Sequence, residues 1–180
     1  SAGPLIGTTG AAWYGSRTGY TLFVNGVPGA ANGQIGFNGV LDTSRASNPI
    51  PADTWFHVAY VRQNGLGTIY LNGVAQTNAT SISDSYHYTN TAFLIGRDTG
   101  LGYFKGCISN LTVANTALYT SNFSANLPYP AADTVPTSAQ FLMNPNFTDA
   151  IASWNKVSGG PTLSKTGSIS LSNNFPVRPL

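Results

Sequence analysis

The side chains best suited to chemistry in this chain are aromatic rings set in polar loops. Trp13 and Tyr14 stand with Arg17 in a Gly-rich stretch, Tyr86, His87 and Tyr88 form one run, and Arg97, Asp98 and Tyr103 share another loop. Exposed rings stack on sugar rings, while Arg, Asp and Asn side chains fix hydroxyl groups through hydrogen bonds. These residues are the expected glycan contacts. The competing use of the same rings is packing under their own loops or against a neighbouring subunit.

Catalytic constellations are thinner. Most glycosidases need two carboxyl groups at a set separation. The acids here are Asp42, Asp53, Asp84, Asp98, Asp133 and Asp149, with no glutamate, and no two lie within four positions of each other. His57 or His87 could in principle serve a Ser-His-Asp site, but no nucleophile-elbow pattern accompanies them. His57 reads better as a structural strand residue that hydrogen-bonds a neighbouring loop. Cys107 is the single cysteine. It therefore forms no intrachain disulfide, and its apolar setting suits an inert buried thiol. The expectation is a protein without enzymatic activity.

Composition narrows the partners. The chain has 180 residues, enough for one domain with a sizeable core. Charged residues make up 8% of it, against about 25% in an average soluble protein. Ser, Thr, Asn, Gln and Gly must supply the polar surface, and such a surface repels its neighbours weakly, which suits packing into an assembly. The cations are Arg17, Arg45, Arg62, Arg97, Lys105, Lys156, Lys165 and Arg178, scattered without a run, and the net charge is +2. Nucleic-acid binding needs clustered phosphate contacts, so it is not expected. Residues 106–132 carry no charge, but Asn, Ser and Thr recur through them. They make no membrane helix. No signal peptide is read in the opening residues. Four Asn-x-Ser/Thr sequons, at Asn78, Asn110, Asn122 and Asn146, arise by chance in a chain this rich in Asn and Thr.

Short strands between turn-forming clusters must position these loops. Strands are predicted at 20–24, 34–37, 55–62, 68–71, 93–95 and 140–143, with one plausible strand at 168–171. Residues 104–113 form the longest candidate, with a bulge near Ser109 and Asn110 to keep Ile108, Leu111 and Val113 on one face. Asn64-Gly65 and Asn72-Gly73 are expected turns, because Asn and Gly tolerate positive φ cheaply. TLFVNGV and TIYLNGV read as one hairpin device used twice. Thr116 to Tyr119 could form a single helical turn, and residues 124–139, with Pro128, Pro130 and Pro136, form an extended crossing segment. About ten short strands with no convincing helix indicate an all-β, two-sheet antiparallel β-sandwich.

The order of these pieces resembles a known family. Trp55-Phe-His57-Val-Ala59 followed by Ile69-Tyr-Leu-Asn-Gly73 is similar to the central hairpin of laminin-G-like, concanavalin A-like domains. Leu94-Ile-Gly-Arg97, then Phe104-Lys-Gly-Cys-Ile-Ser-Asn-Leu-Thr-Val113, is similar to the pair that follows it there. Ala117-Leu-Tyr-Thr-Ser-Asn-Phe123, ahead of Pro128 and Pro130, resembles the version found in tail, fibre and capsid-surface proteins of bacteriophages. Gln140-Phe-Leu-Met143 through Asp149 resembles the strand after the proline segment there. The resemblance implies a jelly-roll sandwich that binds glycans or other protein chains, and it implies no reaction. Such domains often hold calcium between loops, and Asp98 with Asp42 or Asp84 could supply such a site. Asp as a turn former is the favoured reading, so no cofactor is assigned. The family usually opens with an aromatic strand before the segment matching Leu5-Ile-Gly7. Either the chain is a piece of a longer protein, or the late strand near Ser168 completes the sheet.

The expected organisation is a sandwich over residues 1–150 and a Gly/Ser-rich extension over 151–180 that completes the sheet or docks on a neighbouring chain. The expected role is a virion surface structural domain, in capsid decoration or a fibre, with other virion chains as partners and a homo-oligomeric state. The alternative is a lectin-like host-attachment module that binds polysaccharide, with a glycoside hydrolase as a remote third.

Overall fold

The computed structural model describes residues 3–8, 19–24, 33–39, 43–51, 54–76, 80–81, 93–98, 102–106, 108, 111–125 and 139–143. All regular structure among them is strand, and every pairing is antiparallel. The chain divides into two compact units, one of residues 1–106 with 119–125 and one of residues 107–118 with 126–180.

The first unit is a two-sheet antiparallel sandwich. Its larger sheet contains β1 (Gly3–Thr8), β2 (Thr21–Val24), β3 (Gln34–Asn38), β4 (Thr43–Pro49) and β9 (Phe93–Ile95), in the order β4-β3-β2-β1-β9. The second sheet contains β5 (Val58–Gln63), β6 (Leu66–Leu71) and β7 (Val74–Ala75) in that order, with β8 (Thr80–Ser81) also paired to β6. A small hairpin joins β10 (Arg97–Asp98) to β11 (Gly102–Tyr103).

Register explains the core. Leu22 lies opposite Phe37 and Val24 opposite Ile35, so these four share one face of the larger sheet. Phe23 lies opposite Gly36 on the other face and is 0% exposed. Both faces of β2 are therefore buried. Tyr60 and Ile69 pair across the second sheet, and the Tyr60 ring stacks on Phe37 with centroids 3.6 Å apart and an interplanar angle of 2°. Tyr20 also stacks on Phe37, with centroids 5.6 Å apart, and burial raises its phenol pKa. The stack joins the two sheets through flat apolar area. The Tyr60 hydroxyl is buried with no hydrogen-bond partner among the described residues.

A polar link runs beside the stack. Gln76 is 7% exposed, and its Oε1 accepts hydrogen bonds from the backbone N–H groups of Ser47 (3.1 Å) and Asn48 (3.3 Å) in β4. Its Nε2 donates to the Val74 carbonyl at 3.1 Å, and its own backbone N–H donates to Ile69 at 2.8 Å. One amide side chain thus satisfies donors of the larger sheet and an acceptor of the smaller one.

Two tight turns shape the second sheet. Asn64 (φ 49°) and Gly65 (φ 74°) join β5 to β6, and Asn72 (φ 50°) and Gly73 (φ 81°) join β6 to β7. Two successive positive φ values give the turn whose twist matches the flanking strands, and Asn-Gly is the pair that adopts it most readily. Both turns stand where the sequence places them. The echo between TLFVNGV and TIYLNGV does not extend to structure. Leu71 pairs with Val74 across two residues, whereas Val24 pairs with Ile35 across ten.

In the second unit, β12 (Leu111–Ala114) pairs with β13 (Ala139–Met143), with an irregularity between Val113 and Ala114. The single long strand expected over 104–113 is corrected. Phe104, Lys105 and Gly106 lie outside any strand, because the Phe104 N–H donates to the Gly96 carbonyl at 2.8 Å rather than to a sheet neighbour. A bulge at Ser109 and Asn110 falls outside the described residues. The helical turn at Thr116 to Tyr119 is also corrected. These residues form bends, and Tyr119 turns to stack on Phe123. Strands β1, β4, β7 and β8 have no counterpart in the sequence reading, and the loop expected to hold Arg97, Asp98 and Tyr103 is corrected to the paired strands β10 and β11. The 168–171 strand and the extension beyond residue 150 fall outside the described residues, as does most of the proline segment.

The two Asn-Gly turns make a matched test. Alanine at position 65 meets a positive-φ penalty of about 1–2 kcal/mol. At position 73 a Cβ would also fall on the Phe123 carbonyl oxygen, raising the loss to about 3 kcal/mol or more. Urea denaturation of Gly65→Ala and Gly73→Ala should show that order, and equal losses would mean that residues 119–125 do not press on the turn in solution.

Candidate functional site

The β10–β11 hairpin is the one predicted glycan-contact region whose side chains can be followed. Gly96 separates it from β9: its N–H donates to the Leu5 carbonyl and its own carbonyl accepts from Phe104, both at 2.8 Å. The hairpin is thereby bonded to β1 at its base. Phe104 anchors it further. A Cβ on Gly3 would stand 3.1 Å from the Phe104 ring, and one on Gly106 would stand 2.7 Å from it. With Phe104 held against small residues, its neighbour Tyr103 is carried outward and is 69% exposed.

Arg97 lies directly opposite Tyr103 in the ladder. Its guanidinium carbon is 5.3 Å from the Tyr103 ring centroid, within cation–π range. An arginine on a ring limits the ring's rotamers and keeps its N–H fork beside it. Lys105 follows two residues on and is exposed. Lys105 is neither aromatic nor clustered with other charges, and its two-residue spacing from Tyr103 is its one signal in the sequence. The hairpin thus presents one open aromatic ring with two cationic side chains on the same short segment.

Of the other predicted site residues, Trp13, Tyr14, Arg17, Asp42, Asp84, Tyr86, His87 and Tyr88 lie outside the described residues, as does Cys107. Asp98 is placed by its backbone alone, opposite Gly102. Among the described residues no group of three or more His, Cys, Asp or Glu side chains gathers in a way that could hold a metal ion.

His57 belongs to a different arrangement. It immediately precedes β5, and its backbone closes on the Asn72-Gly73 turn: its N–H donates to Asn72 Oδ1 at 2.8 Å, and its carbonyl accepts from the Asn72 N–H at 2.9 Å. Residues 119–125 then cross this turn. The Phe123 N–H donates to the Gly73 carbonyl at 2.9 Å, and the Ala75 N–H donates to Asn122 Oδ1 at 2.9 Å. Tyr119 and Phe123 stack on each other at 3.8 Å. Both meet the imidazole edge-on, at 5.9 and 5.3 Å, and both lean on Tyr70. Residues 119–123, the end of the ALYTSNF motif, are therefore a strap fastened over the outer face of the second sheet. Asn122, which the sequence shows only as a chance sequon, supplies one of its fastenings.

Comparison with known proteins agrees with this architecture. A family model described as the concanavalin A-like lectin/glucanase superfamily, of laminin G type, matches residues 6–122, more than half of the chain. No curated protein and no solved structure matches it. The matched span takes in the hairpin and most of the strap.

Enclosure of His57 has a consequence that pH reveals. Burial disfavours the imidazolium and lowers the His57 pKa below its ordinary value. The unfolded chain takes up its proton at about pH 6.5, while the folded chain holds the neutral ring to lower pH. Stability is therefore full above that value and falls as pH drops through the folded-state pKa. Thermal midpoints measured from pH 7.5 to 5.0 should decline for the wild-type chain and flatten for His57→Phe, with His87→Gln as the control. An unchanged slope in His57→Phe would assign the decline to another group.

Proposed function

The chain belongs to the concanavalin A-like lectin/glucanase superfamily, and within it we propose a non-enzymatic role as a virion surface domain that works by contact with other protein chains. The observation that carries this reading is the surface itself. Only 8% of residues are charged, and the second sheet leaves Leu66 49% and Val74 52% exposed. A weakly charged surface with uncovered apolar side chains favours association over solvation as a lone particle. The virion setting is supported by the likeness of residues 117–123 and the following prolines to phage tail, fibre and capsid-surface proteins.

The absence of catalysis is supported by the residues available for it. The acids are all aspartates and none are closely spaced. His57 is committed to the turn and the strap. A second reading, a lectin-like module for host polysaccharide, is favoured by one observation: the exposed Tyr103 ring with Arg97 beside it.

Mass photometry of the purified chain should show a homo-oligomer that Leu66→Asp with Val74→Asp shifts toward monomer. A wild-type monomer that also fails to join particles would remove the assembly reading. Release of reducing sugar from polysaccharide, lost on replacing a single Asp, would remove the non-enzymatic one. No cofactor is assigned, so EDTA should leave the melting temperature unchanged. A fall would point to calcium held by Asp98 with Asp42 or Asp84.

A further inference from the structure

The β10–β11 hairpin combines three features rarely needed for folding alone. A large ring stands in solvent although apolar burial is the main stabilising use of an aromatic side chain. An arginine lies directly opposite in the ladder and stacks on it, so the ring is held rather than left to rotate. A lysine follows two residues on, also in solvent. Phe104 behind them packs against Gly3 and Gly106, and the Gly96 N–H bond to Leu5 ties the base of the hairpin to β1. Preorganised groups lose little entropy on binding.

We propose that this hairpin binds an anionic saccharide, with a sugar ring stacked on the open face of Tyr103 and the acidic group of the sugar held by Arg97 and Lys105. A sugar ring has an apolar C–H face that matches an aromatic plane. A carboxylate on the same sugar matches the guanidinium fork in a bidentate pair. Two cations, one over the ring and one exposed two residues along the chain, favour an acidic sugar over a neutral one. They are too few for a nucleic-acid backbone, which calls for a track of phosphate contacts. This inference rests on the lectin-like reading and is independent of the assembly one.

The test is calorimetric titration of the full chain with a hyaluronan octasaccharide, an oligogalacturonate and an oligomer of sialic acid, against neutral chitohexaose. At least one acidic oligosaccharide should bind, at least about tenfold more tightly than chitohexaose, a difference of about 1.4 kcal/mol. Raising the salt concentration should weaken that binding. Tyr103→Ala and Arg97→Gln should each reduce it by about tenfold or more, and both side chains lie outside the core, so thermal midpoints should hold. Arg97→Lys should retain the charge and lose part of the affinity. Failure of all three acidic oligosaccharides to bind, equal affinity for chitohexaose, or unchanged binding by Tyr103→Ala would each overturn the proposal. If no saccharide binds and Tyr103→Ala instead changes the oligomer mass, the ring is a contact between chains. That outcome sinks the saccharide site and leaves the assembly reading standing.

Discussion

The Asn72-Gly73 turn holds three separate pieces of chain in one place, and much of the second sheet depends on it. It reverses β6 into β7, it accepts the backbone of His57 as the chain enters β5, and it receives the backbone of Phe123. The last contact is possible because position 73 has no side chain: the Phe123 carbonyl occupies the space a Cβ would fill. Asn72 is equally specific. It takes a positive φ at low cost and offers a side-chain oxygen to the His57 N–H. A turn selected by local backbone preference has thus become the fastening for a segment about fifty residues away in sequence.

Among the described residues, an apolar stack and a polar amide link the two sheets of the sandwich. The Tyr20–Phe37–Tyr60 stack supplies buried area. Gln76 supplies direction, because an amide that must satisfy β4 donors and a β7 acceptor together tolerates little sliding of one sheet over the other. The hairpin carrying Tyr103 stands apart from this core. It is bonded to β1 through Gly96 and wedged by Phe104, so the ring it presents is positioned by the larger sheet while remaining in solvent.

Several elements were legible in the sequence because their causes are local. Asn64-Gly65 and Asn72-Gly73 are turns on backbone grounds alone. The alternation of Trp55 to Arg62 placed Ala59 and Val61 on the face opposite Val58 and Tyr60. The elements that were missed lack such a signal. Thr43–Pro49 is polar, ends in proline and lies at a sheet edge, where hydrophobic alternation is not required. Gly3–Thr8 carries only two large apolar residues between glycines. Residues 104–113 have an apolar content that reads as one strand, yet a hydrogen bond to Gly96 diverts Phe104 from any ladder. Of the candidate site, the nearness of Arg97 and Tyr103 in sequence was legible, while their pairing across a ladder depends on backbone hydrogen bonds that residue type does not announce.

Residue type and short-range spacing are enough to establish the class of fold, the two tight turns and the poverty of charge. The sequence also restricted the acids to widely spaced aspartates. Which aromatic residues became core and which became surface depends on long-range packing. Tyr60, Tyr70, Tyr103 and Tyr119 are chemically the same, yet one is stacked between sheets, two lie under or within the strap, and one stands in solvent over an arginine. The reason is that burial is a property of what comes to lie against a side chain, and those neighbours arrive from other parts of the chain: Phe37 for Tyr60, the strap for Tyr70, and for Tyr103 the arginine across its own hairpin.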